Sequence, residues 1–328
     1  MHFYFAPLEG ITGYVYRNAF HDYFDKLCED GKQRIIIDKF YAPFISPGNH
    51  KKLTSKERND LSPENNKDIV LVPQVLTNDA GCFLRTVEHL NTLGYTEVNL
   101  NLGCPSGTVV AKHKGAGLLE DIRMLDTFLK EIYAGSKLDI SIKARIGFAD
   151  VEEWPLLLKV FNQYPVKELI VHPRLKQDQY TGRIHMDQFE YAMEHARMPV
   201  CYNGDVFKPS DYDALEERFP RLESVMLGRG LLTNPALVRQ ILGGERVMQD
   251  EFFVFHNAVF HAYETLMSGE RNLLFKMKEL WNYWVYLFSD WEYNIKRIRK
   301  VESKQEYKMV VSQIIHSCEI TDKGYGSL

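Results

Sequence analysis

Short apolar runs recur along the first three quarters of the chain, and most are separated by stretches in which apolar residues have helical spacing. The eight runs read FYFAP, IIIDKFY, IVLVPQV, EVNLNLG, ISIKARIG, ELIVHPR, PVCYNGD and SVMLGRG. Such runs are typical of parallel strands buried on both faces. Eight strands alternating with helices predict an α/β fold of the (β/α)8 TIM barrel type. An open doubly wound sheet is the alternative, and we prefer the barrel because no GxGxxG motif follows an early strand.

The pattern changes near Gly243 and Gly244, where the strand signals stop. Four apolar stripes with helical spacing follow: Phe252, Phe255, Val259 and Leu266; Leu273, Met277, Leu280, Trp284 and Leu287; Ile295 and Ile298; Val310 and Ile314. They predict a C-terminal bundle of four helices. We therefore expect a barrel domain over residues 1–243 and an all-α helical bundle domain over residues 244–328. Residues 43–68 are polar and predict an excursion on the loop face, with a short helix around residues 51–59.

Composition narrows the class of protein. The 328 residues are 45% hydrophobic and 26% charged, which is ordinary for a globular protein, and no apolar run approaches a membrane span. The cysteines, Cys28, Cys82, Cys104, Cys201 and Cys318, form no CxxC pair, so we expect neither a disulfide framework nor a metal site. The N-terminus shows no export signal, and a cytoplasmic location is the expectation. With a net charge of −4, any nucleic-acid binding must come from a local patch.

The stretch EVNLNLGCPS, residues 97–106, combines a strand pattern with unusual polar residues. Asn99 and Asn101 share one face of the predicted strand, and because Asn is a poor strand former they indicate a polar site. Cys104 follows at the carboxyl end of the strand, where a side chain can face a ligand. A lone Cys is more often a small buried apolar residue, so the rest of the chain must decide between the two interpretations.

Polar side chains occur at the predicted carboxyl end of every strand, the face on which barrels assemble their active sites. In order they are Pro7 and Glu9, Lys39, Gln74, Asn101 with Cys104, Lys143 with Arg145, His172 with Arg174, Asn203 with Asp205, and Gly228 with Arg229. Helix caps or loop charges would explain single members but not the set. The NGD and GRG that end the last two strands predict a phosphate site, where Arg229 can pair bidentately. Lys143 would be either a fixed cation that stabilises negative charge on an electron-poor ring during reduction, as in flavin sites, or a lysine at a strand end whose charge reaches solvent.

The chain resembles the tRNA-dihydrouridine synthases, flavin-dependent enzymes that reduce uridines in tRNA. The resemblance is carried, in family order, by APLEGIT, VPQV, NLNLGCPS, KGAGLL, SIKARIG, VHPR, YTG, NGD and GRG. It implies FMN, with NADPH or NADH as reductant, and tRNA as substrate. By resemblance, FMN would be bound by Pro7, Leu8, Glu9, Gln74, Lys143, His172, Asn203, Gly204, Asp205, Gly228 and Arg229, and the uridine by Asn101, Arg145 and Arg174.

The resemblance also implies a mechanism, in which reduced FMN gives a hydride and Cys104 is the proton donor. A neutral thiol suits that role. The sequence departs from the family pattern at Gly13, at Pro173 and in the RIHM after Gly182, which leaves local substrate contacts open. The first motif and the loop after the second strand favour the bacterial subfamily that acts at position 16. The alternatives are a flavin barrel like dihydroorotate dehydrogenase, acting on a free pyrimidine, and a barrel that binds RNA or phosphate without catalysis.

A basic patch in the helical tail is the expected tRNA contact. Residues 296–308 contain Lys296, Arg297, Arg299, Lys300, Lys304 and Lys308 against Glu302 and Glu306, six positive and two negative charges, or +4. Charge runs of this size also occur on solvated helix faces. We expect Arg297 and Lys300 to bind tRNA, and no protein partner, so that the protein is a monomer.

Overall fold

The computed structural model describes residues 1–29, 32–48 and 53–321. Part of the predicted helix around residues 51–59, including Lys51, lies outside this range. The described strands are β1 (His2–Phe5), β2 (Lys26–Glu29), β3 (Lys32–Ile35), β4 (Lys39–Tyr41), β5 (Leu71–Val72), β6 (Gln74–Val75), β7 (Glu97–Leu102), β8 (Asp139–Gly147), β9 (Leu169–Leu175), β10 (Val200–Tyr202) and β11 (Ser224–Leu227).

The described helices follow the strands in the order that the sequence predicts. They are α1 (Tyr14–Tyr23), α2 (Ser55–Leu61), α3 (Ala80–Thr92), α4 (Gly107–Val110), α5 (Ile122–Gly135), α6 (Trp154–Phe161), α7 (Met186–His195), α8 (Pro209–Arg218), α9 (Arg229–Thr233), α10 (Leu237–Ile241), α11 (Gln249–Leu266), α12 (Glu270–Trp284), α13 (Trp291–Lys300) and α14 (Lys304–Ser317). The described ranges also contain five short 3-10 helices: Pro63–Asn65, Gly115–Glu120, Val151–Glu153, Lys176–Asp178 and Val285–Leu287.

Nine of the described strands form one sheet in the order β5-β4-β1-β11-β10-β9-β8-β7-β6. The two outermost strands of this order, β5 and β6, are halves of one segment of chain, separated only by Pro73. Leu71 pairs in parallel with Phe40 on β4, and Gln74 pairs in parallel with Asn99 on β7. The sheet is therefore a closed ring of eight chain segments, and the predicted TIM barrel is confirmed.

The chain forms two compact units. The first joins Met1–Glu9, Lys39–Gly204 and Phe219–Met226, and the second gathers the rest of the described residues. Because each unit combines several stretches of chain, the predicted domain division at residue 243 stays a prediction.

In the first unit, the barrel interior has an apolar side and a polar side. Tyr4, Ala6, Tyr41, Val72, Ile170, Cys201 and Met226 form a buried cluster, with Leu8 packed against it. The polar side lies on β6, β7 and β8, where Gln74, Asn99, Asn101 and Ser141 are all buried. Unpaired buried amides are costly, so these side chains must find partners inside the barrel.

In the second unit, the helices α11, α12 and α14 share an aromatic core with α1. The ring of Tyr16 stacks on Trp284 with centroids 6.2 Å apart, and Phe24 meets Phe255 edge to face at 5.0 Å. The four predicted tail helices are confirmed, with two differences in their apolar stripes. Leu266 is exposed at the end of α11, and Val311 is buried in α14 where the sequence analysis favoured its neighbour Val310.

The structure also contains a hairpin that the sequence analysis missed. Strands β2 and β3 pair in antiparallel fashion, with Lys26 opposite Ile35. The predicted strand IIIDKFY therefore begins with the end of this hairpin, and the barrel strand β4 begins only at Lys39. Consequently Lys39 lies at the amino end of its strand, and its predicted place at the carboxyl end is wrong.

Candidate active site

Cys104 lies two residues beyond the end of β7 and is half-buried. The carboxamide oxygen of Asn101 accepts hydrogen bonds from the backbone N–H groups of Gly103 (3.0 Å) and Cys104 (2.9 Å). One side chain thus closes the turn that presents the cysteine. Burial raises the pKa of the Cys104 thiol, although the backbone of Ser106 and the charges of Arg145 and Lys143 oppose the shift. The thiol is therefore protonated at neutral pH.

A glycine supports the other side of the Cys104 loop. The backbone N–H of Ala116 donates to the carbonyl oxygen of Cys104 at 3.1 Å. The preceding residue, Gly115, has a φ of +56°, and a Cβ atom at this position would lie 2.9 Å from the same carbonyl oxygen. Both features require glycine, which explains the KGAGLL motif in structural terms.

The buried amides inside the barrel are hydrogen-bonded to one another in a row. Asn101 donates to the Oε1 atom of Gln74 (2.7 Å), and Gln74 donates to the Oδ1 atom of Asn99 (2.8 Å). Asn99 donates to Ser141 Oγ (3.0 Å), which donates to Glu97 (2.8 Å). We call these five residues the Glu97 network. The sequence predicts a polar face at Asn99 and Asn101 but does not single out Ser141 and Glu97, whose pairing depends on strand register.

Lys143 faces the same region from β8, where it is the register partner of Asn101. Its side chain is partly buried, and in the described part of the chain its ammonium group makes no hydrogen bond or ion pair. Burial, together with repulsion from Arg145, lowers the pKa of Lys143 to about 8. A buried cation without an acceptor is costly, so this group suits an anionic or electron-rich ligand.

Arg145 is fully buried and bound to backbone carbonyl groups. It donates to the carbonyl oxygens of Gly103 (2.9 Å), Leu175 (2.8 Å) and Gln179 (2.6 Å). Burial is the main reason that its pKa falls to about 10, so the side chain is still charged at neutral pH. The ring of Tyr180, about half exposed, lies 5.4 Å from the guanidinium. Arg145 therefore connects the Cys104 loop to the loop after β9.

His172 and Arg174 are buried together on β9. The Nη1 atom of Arg174 lies 3.2 Å from His172 Nε2, and the Nε atom of Arg174 donates to the carbonyl oxygen of Gly182 at 2.8 Å. A guanidinium only donates, so Nε2 is the acceptor in this contact. The pair holds the YTG segment against the end of β9.

The remaining predicted residues of the first unit lie just beyond the ends of β1 and β10. Asn203 is buried and donates to the carbonyl oxygen of Met226 at 2.8 Å. Gly204 lies against the ring of Tyr202, where any Cβ atom would clash. Pro7 and Leu8 are partly buried. The exposed Glu9 pairs with Lys56 of α2 at 3.2 Å.

In the second unit, Asp205 and Arg229 form an ion pair. The Nη2 atom of Arg229 lies 2.6 Å from Asp205 Oδ1, and the guanidinium lies 5.4 Å from the ring centroid of Phe207. Arg229 begins α9 directly after Gly228. The predicted phosphate ligand is thus held in place by a carboxylate and an aromatic ring.

The tail residues predicted to bind tRNA lie on α13. Arg297 is partly exposed, donates to Gln313 on α14 and lies 5.6 Å from the ring centroid of the exposed Tyr293. Lys300 is exposed, as are Lys296 and Arg299. The basic side chains of α13 therefore remain accessible.

Two structural properties bear on the class of protein. In the described ranges, no group of three or more His, Cys, Asp or Glu side chains is arranged to bind a metal ion. None of the described helices is long and apolar enough to cross a membrane.

Solved structures with a similar fold include morphinone reductase and an old yellow enzyme homologue from Zymomonas mobilis. For morphinone reductase the TM-score is 0.50 and the sequence identity 9%, and the aligned region covers 76% of this chain and 87% of the reductase chain. For the old yellow enzyme homologue the TM-score is 0.51 and the sequence identity 10%, and the aligned region covers 76% of this chain and 91% of the homologue. At this level of identity the similarity shows the fold alone.

Curated relatives share more of the sequence. A tRNA-dihydrouridine(16) synthase of Aquipseudomonas alcaligenes is 29% identical over 170 residues, 51% of this chain and about half (54%) of the relative. One of Pseudomonas syringae pv. tomato is 25% identical over 246 residues, 74% of each chain. The tRNA-dihydrouridine synthase B of Pseudomonas putida is 23% identical over 72% of this chain and 66% of its own. The family described as Dihydrouridine synthase (Dus) matches residues 4–315. Since this match spans nearly all 328 residues, the chain belongs to the dihydrouridine synthase family.

Proposed function

We propose that this protein reduces a D-loop uridine of tRNA to 5,6-dihydrouridine, with FMN as cofactor and NADPH or NADH as reductant. The observation that carries the proposal is the protonated, half-buried Cys104 thiol, presented by Asn101 in the same region as Lys143. The family match over residues 4–315 supports this function over a barrel acting on a free pyrimidine or a non-catalytic barrel.

The residues of the first unit fit a flavin. Lys143 has a buried ammonium without an acceptor in the described chain, and we assign it to the flavin ring, where it would stabilise the negative charge of the reduced form. Gln74, His172, Asn203, Gly204 and Pro7, Leu8 and Glu9 are the further flavin ligands in this proposal. Asp205, Gly228 and Arg229 are proposed to bind its phosphate.

Reduced FMN, when bound, supplies a hydride for one carbon of the uracil double bond. Cys104 gives its proton to the adjacent carbon, so that hydride and proton together add two hydrogens across the bond, and the thiolate then regains a proton from solvent. Arg145 holds the loop that carries Cys104, and with Asn101 and Arg174 it is the proposed uracil contact. The base must leave its stack in the RNA, which requires binding energy from elsewhere on the tRNA.

We assign that binding energy to Arg297 and Lys300 on α13. Two of the relatives are named for position 16, which supports the position that the sequence favours. A cytoplasmic location and a monomeric state stay predictions.

The experiment is to compare Cys104→Ala with Cys82→Ala, which removes a thiol buried on α3. We expect Cys104→Ala to bind FMN and to accept electrons from NADPH or NADH normally, while dihydrouridine formation falls by about 10² to 10⁴. Cys82→Ala should keep its activity. Dihydrouridine is measured by mass spectrometry of tRNA from a strain that lacks the gene. Near-parental turnover by Cys104→Ala would exclude Cys104 as the proton donor.

A further inference from the structure

Charge fixes the hydrogen-bond direction at the Glu97 end of the network. The carboxylate of Glu97 pairs with Lys39 at 3.0 Å and with Lys167 at 3.4 Å. A carboxylate in such a pair only accepts, so the hydroxyl of Ser141 must donate its one proton to Glu97. Towards Asn99 the same hydroxyl can then only accept.

This choice determines the orientation of each amide that follows. Asn99 must turn its NH2 group to Ser141, so its oxygen faces Gln74; Gln74 must turn its NH2 group to Asn99, so its oxygen faces Asn101. Asn101 then donates to Gln74 and is left with its oxygen towards the backbone N–H of Cys104. A backbone N–H only donates, so both ends of the network require the same direction.

We propose that Ser141 and Asn99 are positioning residues, which hold the Asn101 carboxamide in the one orientation that keeps Cys104 in place. The inference rests on the proposed function only for the chemical role of Cys104. Neither residue is itself a proposed flavin or uracil ligand. In the described contacts the Ser141 side chain bonds only Glu97 and Asn99, the Asn99 side chain bonds only Ser141 and Gln74, and both residues are fully buried.

Loss of the Ser141 hydroxyl removes one of the two constraints, the one at the Glu97 end of the network. Without that acceptor, the NH2 group of Asn99 is no longer hydrogen-bonded at position 141, and the carboxamide can rotate by 180°. A rotated Asn99 would present its NH2 group to the NH2 group of Gln74. The Asn101 oxygen would then leave the N–H of Cys104 for part of the time, and the thiol would become more exposed. Since burial raises the pKa of Cys104, exposure lowers it and increases the thiolate fraction at neutral pH.

The test is the rate of alkylation of Cys104 by iodoacetamide between pH 6 and 9 in the purified full-length protein, followed by peptide mass spectrometry. We expect Ser141→Ala to raise the rate at neutral pH by about three- to tenfold, the change produced by half to one pKa unit. The matched control is Ser224→Ala. Ser224 is also buried on a strand and donates to a glutamate, Glu168, at 2.9 Å, but it is not part of the Glu97 network.

The alkylation rate of the buried Cys82, measured in the same digests, reports any general loosening of the packing. The proposal requires that Cys104 responds in Ser141→Ala while Cys82 does not, and that Ser224→Ala changes neither. A Cys104 rate within twofold of the parent in Ser141→Ala, or equal acceleration at Cys82, would overturn it.

A second pair of variants tests hydrogen-bond direction and does not depend on the folding of Ser141→Ala. Asn99→Asp places a fully buried carboxyl here, and burial keeps it neutral. Its O–H can donate to Ser141 while its other oxygen accepts from Gln74, so Cys104 should react at the parental rate. Asn99→Leu removes the acceptor, and the rate should rise by about three- to tenfold. Equal rates in these two variants would exclude the proposed direction. Because alkylation needs no tRNA, it also separates this inference from the proposed function: a parent that reduces no uridine leaves the alkylation result standing.

Discussion

The Nε atom of Arg145 donates a 2.9 Å hydrogen bond to the carbonyl oxygen of Gly103, the residue before Cys104. Two other nitrogens of the same guanidinium donate to Leu175, the last residue of β9, and to Gln179 on the loop that follows. One planar cation thus fixes two loops, and the fork geometry of arginine is what allows three bonds in different directions.

Arg145→Lys should therefore destabilise the protein although it keeps the charge. An ammonium cannot reach the three carbonyl groups at once, and at least one would stay buried without a donor, at about 1 to 3 kcal/mol. Urea unfolding measures the loss. Arg123→Lys on the exposed surface of α5 is the control, and equal stability of the two variants would contradict the role of Arg145.

Arg229→Ala should weaken FMN binding by about 100-fold, or close to 3 kcal/mol, if Arg229 pairs with the phosphate. Arg239→Ala is a close control. Arg239 pairs with Glu251 at 2.6 Å and its side chain is 14% exposed, while Arg229 pairs with Asp205 at 2.6 Å and its side chain is 15% exposed. Flavin fluorescence titration gives both affinities. Should both variants bind FMN as the parent does, the phosphate ligand lies elsewhere.

The stability of the second unit should depend on pH through His256. This buried residue accepts from or donates to Tyr307 OH at 2.7 Å, and Trp281 donates to the same hydroxyl at 2.8 Å. Burial is the main cause that lowers the pKa of His256 from 6.5 to about 4. Between these values the unfolded chain binds more protons than the folded one, so stability falls as pH drops from 6.5 to 4, by up to about 3 kcal/mol.

Urea unfolding at pH 7 and at pH 4.5 tests this expectation. His256→Gln should be less stable than the parent at pH 7 but should lose less stability on acidification. His89→Gln, at an exposed side chain on α3, should retain the parental dependence. If His256→Gln loses as much stability between pH 7 and pH 4.5 as the parent does, other groups are responsible for the pH dependence.

Replacement of Arg297 and Lys300 by Ala should weaken tRNA binding and reduce its log-log salt slope by about one to two, because each lost phosphate contact removes a little under one unit. Lys130→Ala with Lys159→Ala, on α5 and α6, removes the same charge from other exposed positions. Filter binding at several salt concentrations measures both. If the two double variants behave alike, α13 is a solvated face and the RNA binds elsewhere.

The strands and tail helices were predictable because each carries its own apolar pattern. The hairpin of β2 and β3 was not, since KLCE and KQRI alternate weakly and resemble a polar loop. That omission also shifted Lys39 to the wrong end of the barrel. Cys104 and Asn101 could be singled out from local spacing, whereas Ser141 and Glu97 acquire their importance only when register places Ser141 beside Asn99. Local sequence does not contain that information.

The interruption at Pro73 makes the barrel wall uneven in strength. Two-residue strands lie on each side of it, and proline has no N–H to donate across the ring. Local opening should therefore begin at this seam, at a lower free energy than global unfolding. Gln74 belongs to the seam and holds Asn101, so the Cys104 turn would lose its anchor while the other strands were still paired. The temperature at which activity is lost would then be set by the local stability of the short strands beside Pro73, and not by the stability of the whole fold.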